Sequence, residues 1–212
     1  MEVDPRLVPA LEESVGGIDA VRVMVADATR ADWRSLLGED PGWIAVANLP
    51  YNVAVPVVMK LLEEAPMVDR LLVMVQREVG ERLAAPPGHP RYGAVSVRVA
   101  YRAEARVIRP VTRSVFWPEP NVDSVLVSIV RRPPPADVDQ AALWRTIEVS
   151  FSQRRKSMRG ALRRLGLGPA EAEAVLAACG LAPLSRPEQL SLSDFACIAD
   201  RALPSSGAAP AR

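Results

Sequence analysis

Three valine-rich runs of strand length, VRVMVA (21–26), WIAVA (43–47) and RLLVMVQ (70–76), alternate with stretches of helical spacing, PRLVPALEESV (5–15), TRADWRSLL (29–37) and VAVPVVMKLLEEA (53–65). A strand that is apolar on both faces needs cover on both faces. Helices on the two sides of a mostly parallel sheet supply that cover, so the alternation points to an α/β unit. Within 53–65, Val57, Val58, Leu61 and Leu62 fall on one face. Pro56 is tolerated only in a first turn, which predicts a helix starting near Val53.

The pattern changes after Pro86-Pro87-Gly88. AVSVRVAY (94–101) alternates like a strand yet carries no turn residue over a helix-length stretch, and periodicity alone leaves both readings open. EARVIRPV (104–111) and VDSVLVSIVRR (122–132) predict two more strands, close enough in sequence for an antiparallel edge. The stiff segment PPPADVD (133–139) marks a boundary between a first domain, 1–132, and a second, 133–204. The second domain is expected to be all helical, with helices in 140–167, 168–181 and 191–203. Asp194 follows a serine start signal there, and Gly180 suits a helix end. The tail 205–212 is expected to be disordered. No internal repeat occurs.

With 212 residues, 49% hydrophobic and 24% charged, the chain has the composition of an ordinary soluble globular protein. No apolar run approaches the roughly 18–20 residues of a membrane span. The acidic start MEVDPRLVPALEE does not have the form of a signal peptide. Cys179 and Cys197 are therefore expected as reduced, packed thiols in a cytoplasmic protein. The net charge is only +1, but Arg154, Arg155, Lys156, Arg159, Arg163 and Arg164 crowd into eleven residues without one acid. Such a cluster is either a solvated helix face or a phosphate-contacting surface.

Open α/β sheets bind ligands at the carboxyl ends of their strands. Three polar residues fall at such ends. Glu2 is placed to accept from ribose hydroxyls, Asp27 from an adenine exocyclic amine, and Asn48 ends the WIAVA run. The run continues as Asn48-Leu49-Pro50-Tyr51. Asn and Pro there are compatible with a plain strand-to-helix turn, and with something more demanding. An aromatic amine is a poor nucleophile because its lone pair is delocalised into the ring. An amide oxygen and a carbonyl near Pro50 that accept its two N–H bonds favour a more pyramidal nitrogen, while Tyr51 can stack on the flat base.

In its ordered motifs the chain resembles the S-adenosylmethionine-dependent rRNA adenine N6-dimethyltransferases. ANLPYNVAVP is similar to that family's fourth motif, MEVDPRLVPAL to its ribose-binding motif, and VADA to its adenine-contacting Asp-Ala. RYGAVSV, SVFWPEPNVDSVLV, SFSQRRKSMRGAL and RPEQLSLSDFACIADRAL are similar to further segments, in order, from Glu2 to about Leu203. The last two resemble the bacterial small-subunit branch (the kasugamycin-sensitivity type) more than the macrolide-resistance branch. The resemblance implies a Rossmann-like class I methyltransferase sheet with a small all-α C-terminal domain, and a helix over 94–101. It implies S-adenosyl-L-methionine as cofactor, held by Glu2, Val3, Asp27, Ala28 and Asn48. A catalytic set of Asn48, Leu49, Pro50, Tyr51 and Phe116 is implied, with Tyr51 and Phe116 sandwiching the target base. It further implies binding of small ribosomal subunit rRNA through Arg154, Arg155, Lys156, Arg159 and Arg163. A monomer without metal or membrane is expected.

The family pattern also opens with a first strand and a Gly-x-Gly loop. Here Gly16-Gly17 follow the helix after Glu2 instead. A sheet missing its first strand and Gly-rich loop leaves neighbouring strands without a shared hydrogen-bond partner. The expectation is an N-terminally truncated chain that on its own binds the cofactor poorly, and whose rivals in function are a non-catalytic assembly factor and a large-subunit rRNA methyltransferase.

Overall fold

The computed structural model describes residues 1–134, 137–153 and 156–203. Its sheet has four strands: β1 (Trp43–Asn48), β2 (Val68–Gln76), β3 (Ala103–Val111) and β4 (Ser124–Arg131), in the order β1-β2-β4-β3. The β1–β2 pair is parallel, while β4 runs antiparallel to both β2 and β3. The antiparallel edge anticipated for the two late strands is present. The run 21–26 departs from expectation, because among the described residues it makes only one parallel bridge, Val25 to Glu2, and no ladder. Beyond that single bridge, its valines are a strand pattern without a partner strand among the described residues. Along β1 the same edge leaves Ile44 61% and Val46 73% exposed.

Helix α3 (Ala54–Glu64) starts after Val53 and buries Val57, Val58, Leu61 and Leu62 against the sheet, as its spacing dictates. The Arg131 guanidinium fixes its far end. Nε donates to the Val68 carbonyl, Nη1 to Leu62, and Nη2 to Leu61 and Ala65, each at 3.0 Å. Leu61 and Leu62 lie in the last turn of α3, Ala65 is its C-cap and Val68 opens β2, so one guanidinium joins the helix end to the strand start.

The ambiguous stretch is helix α5 (Ala94–Arg102). Val95 and Val99, four residues apart, pack into the sheet core, whereas Val97 and Tyr101 pack into a second core of helical residues. Two i,i+4 stripes on opposite sides of one helix imitate the period of a strand. Helix α4 (Arg77–Ala84) packs Gly80 so closely on Val125, Val127 and Val75 that it has no room for a Cβ.

The second core is formed by α6 (Gln140–Phe151), α7 (Met158–Arg164), α8 (Pro169–Ala178) and α9 (Leu192–Ala202), around Phe195, Ile147 and Leu162. The single long helix expected over 140–167 is two helices. Ser157 takes an extended conformation as the N-cap of α7, and the Met158 N–H donates to the Ser185 carbonyl. Ser191 and Asp194 cap α9 reciprocally, and Gly180 adopts φ +70° after α8. Cys179 and Cys197 are not separate thiols but a disulfide, with Cα atoms 5.9 Å apart. The turn at Gly180 brings the end of α8 alongside α9 within bonding reach. The expected tail, 205–212, lies outside the described residues.

Tyr92, in the α4–α5 connection, packs into the second core and donates its hydroxyl to the Leu190 carbonyl there at 2.7 Å. Burial pushes its phenol pKa well up, with the Asp194 charge adding to the effect. A phenol whose folded pKa lies above its unfolded value of 10.0 contributes stability that is complete below that pH. The contribution is lost as pH rises through the folded pKa. Tyr92→Phe should therefore cost about 1–2 kcal/mol at neutral pH by stranding the carbonyl, and should flatten the alkaline fall in stability. Denaturant midpoints measured at neutral and alkaline pH check both.

Candidate active site

β1 ends at Asn48, which pairs in register with Met74 of β2, and the Leu49 N–H donates to the Met74 carbonyl at 3.1 Å. Leu49 is 7% exposed and anchors the turn in the sheet core. With Leu49 held inside, Asn48, Pro50 and Tyr51 are left at the surface. The Pro50 carbonyl accepts from the Val53 N–H at 3.2 Å, closing the turn into α3, and no other described residue donates to it. The Tyr51 hydroxyl lies 3.4 Å from Ser124 Oγ, which ties the ring to the first residue of β4 across two strands. The ring is 38% exposed.

The segment before β4 is tied down at its base. Asp123 accepts from the Arg113 N–H at 3.2 Å and pairs with Arg77 at 2.9 Å, while Arg113 pairs with Glu119 at 2.8 Å. The half-buried ring of Phe116 sits on this tied segment. Tyr51 and the segment that carries Phe116 are thus each joined to the start of β4, through Ser124 and Asp123, and among the described residues the two rings make no ring contact.

The second group lies on the N-terminal segments. The Glu2 N–H donates to the Met24 carbonyl and the Ala26 N–H to the Glu2 carbonyl, both at 2.9 Å, so Glu2 and Asp27 end adjacent extended segments. Glu2 Oε1 accepts from the N–H groups of Val3 and Asp4, which holds the carboxylate at the turn; the Val3 side chain is 63% exposed. The Thr29 hydroxyl and backbone N–H donate to Asp27 Oδ1 at 2.7 and 2.8 Å. Those bonds, the hydroxyl first, hold the Asp27 carboxyl below the usual carboxylate range. Ala28 packs on the sheet core. Among the described residues no hydrogen bond joins this group to the Asn48 group. Gly16 and Gly17 follow the end of α1 (Val8–Val15), with Gly16 as its C-cap.

Of the basic cluster, Arg154 and Arg155 lie outside the described residues. Lys156, Arg159, Arg163 and Arg164 are exposed around α7. Arg159 pairs with Glu173 of α8, and Arg164 donates to Gln153 and the Val149 carbonyl. Lys156 and Arg163 make no side-chain hydrogen bond or ion pair with the described residues. Sequence reasoning missed Ser124 and Asp123, which position Tyr51 and the Phe116 segment. The Asp-Ser pair opening the last strand was their only signal.

A sheet that carries an amide, a proline turn and an aromatic ring at one end, with carboxylates on neighbouring segments, has the layout in which open α/β folds bind ligands at the carboxyl ends of their strands. The sequence model of ribosomal RNA adenine dimethylase matches residues 1–202. Ribosomal RNA small subunit methyltransferase A of Thermobifida fusca is 45% identical, with 94% of this chain aligned to 71% of the relative. The protein of the same name from Geobacillus thermodenitrificans is 37% identical, over 96% of this chain and 73% of the relative. The chain belongs to the ribosomal RNA adenine dimethylase family. Its fold is shared with a dimethyladenosine transferase from Plasmodium falciparum at TM-score 0.76 and 21% identity, covering 92% of this chain and 78% of that one. It is shared too with the 23S rRNA methyltransferase ErmE at TM-score 0.71 and 23% identity, covering 94% and 79%. No helix among the described residues is long and apolar enough to cross a membrane. None of the described residues forms a cluster of three or more His, Cys, Asp or Glu side chains that would hold a metal.

Proposed function

We propose that this protein is a cytoplasmic S-adenosylmethionine-dependent methyltransferase that dimethylates two adjacent adenines at N6 near the 3′ end of small-subunit rRNA, late in ribosome assembly. The observation that carries the reading is the exposed Asn48-Pro50-Tyr51 set, held on buried Leu49 beside Ser124, in a chain of this family. The residues present fit the adenosine half of the cofactor. The Glu2 carboxylate suits ribose hydroxyls, and the low-pKa Asp27 carboxylate suits an adenine amine. Val3 and Ala28 would lie along the base, and Asn48 near the methionine half. When bound, the cofactor supplies an electrophilic methyl carbon on a sulfonium.

The chain's own contribution is positioning. The Asn48 side-chain oxygen and a carbonyl of the Pro50 turn accept the two N6–H bonds of the target adenine. Tyr51, with Phe116 opposite, stacks on the ring and fixes the direction of the N6 lone pair. No general base is required, because the proton can leave to solvent after transfer. The helical domain, 133–204, brings rRNA phosphates to Lys156, Arg159 and Arg163, with Arg154 and Arg155 in the same basic run. The reading is tested by mass spectrometry of rRNA from cells with and without the gene. Loss of N6,N6-dimethyladenosine from small-subunit rRNA is expected; loss from large-subunit rRNA, or from neither, would overturn it.

A further inference from the structure

At the end of the sheet opposite Asn48 lies a cleft of about 540 Å³ between the start of β2 and the end of β4, lined by Asp69, Arg70, Arg102, Val130, Arg131 and Arg132. It thus holds four guanidiniums against one carboxylate. Their hydrogen bonds show how much donor capacity remains. Arg131 spends four of its five N–H groups on carbonyls at the end of α3 and the start of β2. Arg132 spends one, from Nη2 to the Ala100 carbonyl at 2.7 Å. Arg70 is exposed and makes no side-chain hydrogen bond or ion pair with the described residues. Arg102 Nε is buried with no hydrogen-bond partner among the described residues. Burial, and secondarily the like charge of Arg102, work against the charged form of Arg131; Asp69 offsets this only in part.

We propose that this cleft is a second RNA-binding site, which takes a phosphodiester of the folded small-subunit rRNA far from the adenine site. Planar guanidinium forks match phosphate oxygens. A protein partner would instead need an apolar anchor, and the cleft offers one valine and the prolines of the linker. β2 runs nine residues from the cleft to the site end, roughly 25 Å at strand rise. One structured RNA can meet both ends, whereas a short single strand held at Tyr51 does not reach the cleft.

The inference rests on the rRNA reading above, and its test separates the two. Binding of the native gene product to small ribosomal subunits is measured over a range of salt, with wild type, Arg70→Gln, and Arg70→Gln/Arg132→Gln. The slope of log affinity against log salt should fall by about 0.7–0.9 for each phosphate contact removed. Arg70→Lys/Arg132→Lys should restore most of it. A short oligonucleotide carrying the target adenines should bind wild type and double variant alike. Arg70 has no partner to strand in the described fold, so the single variant remains informative if the double variant unfolds. A wild-type slope in the Gln variants would overturn the second site and favour an acidic protein as the cleft's partner. A wild type that does not bind subunits in a salt-sensitive way would overturn the rRNA reading itself.

Discussion

Asn48→Ala should lower methyl transfer by the native gene product by about two to three orders of magnitude, the usual cost of losing a positioned polar group at a reacting atom. The fold should barely notice. Asn48 sits at the surface end of β1 and its side chain makes no hydrogen bond with the described residues. A surface substitution of this kind changes stability by within about 0.5 kcal/mol. The effect should appear in turnover, with subunit binding close to wild type, because phosphate contacts carry the affinity. Tyr51→Ala should lose a stacking platform worth roughly 1–3 kcal/mol. Tyr51→Phe should keep the platform and lose only the 3.4 Å contact to Ser124. Single-turnover kinetics on undermethylated small subunits, with melting curves alongside, separate these cases. An Asn48→Ala protein with near-normal turnover would remove the amide from the chemistry.

Arg131→Ala should have the largest effect on stability among single polar substitutions. It strips four carbonyls at the end of α3 and the start of β2 of one shared donor group. Hydrogen bonds to a charged donor contribute about 1.5–3 kcal/mol each in isolation, and water recovers part of the loss at a half-exposed helix end. A net cost of about 3 kcal/mol, or roughly 6–12 °C in Tm for a chain of this size, is expected. Arg131→Lys should recover little, since an ammonium cannot span the four acceptors that a planar fork reaches. The consequence extends to the site. α3 starts just after Tyr51, so a frayed far end loosens the helix that sets the Asn-Leu-Pro-Tyr turn. Denaturant melts of both variants, compared with Arg70→Gln as a surface control, check the size of the effect.

How much of this was legible in the sequence follows the physics of each element. The α3 start and β1, β2 and β4 were legible because their apolar spacing and Pro56 each admit one reading. The α5 helix was not legible from periodicity, because valines on two opposite stripes serve two cores and mimic alternation. The break between α6 and α7 carries no Gly or Pro; among its described residues Ser157 is extended and the Met158 N–H is held by the distant Ser185 carbonyl, so the run looked continuous. The 21–26 run has a strand's composition, but pairing is a property of neighbours, and among the described residues only Glu2 pairs with it. The Cys179–Cys197 bond depends on how α8 meets α9, which spacing does not encode. At the site, residue types suggested the chemistry proposed above, while Ser124 and Asp123 became visible only once β4 lay beside β2.

The measurement that tests the central claim most directly is methyl transfer from radiolabelled S-adenosylmethionine by the native gene product to immature small ribosomal subunits, with the label located to single nucleotides. The account predicts label on N6 of two adjacent adenines near the 3′ end of the small-subunit rRNA, abolished by Asn48→Ala. Label confined to large-subunit rRNA, or no label while salt-sensitive subunit binding persists, would contradict it.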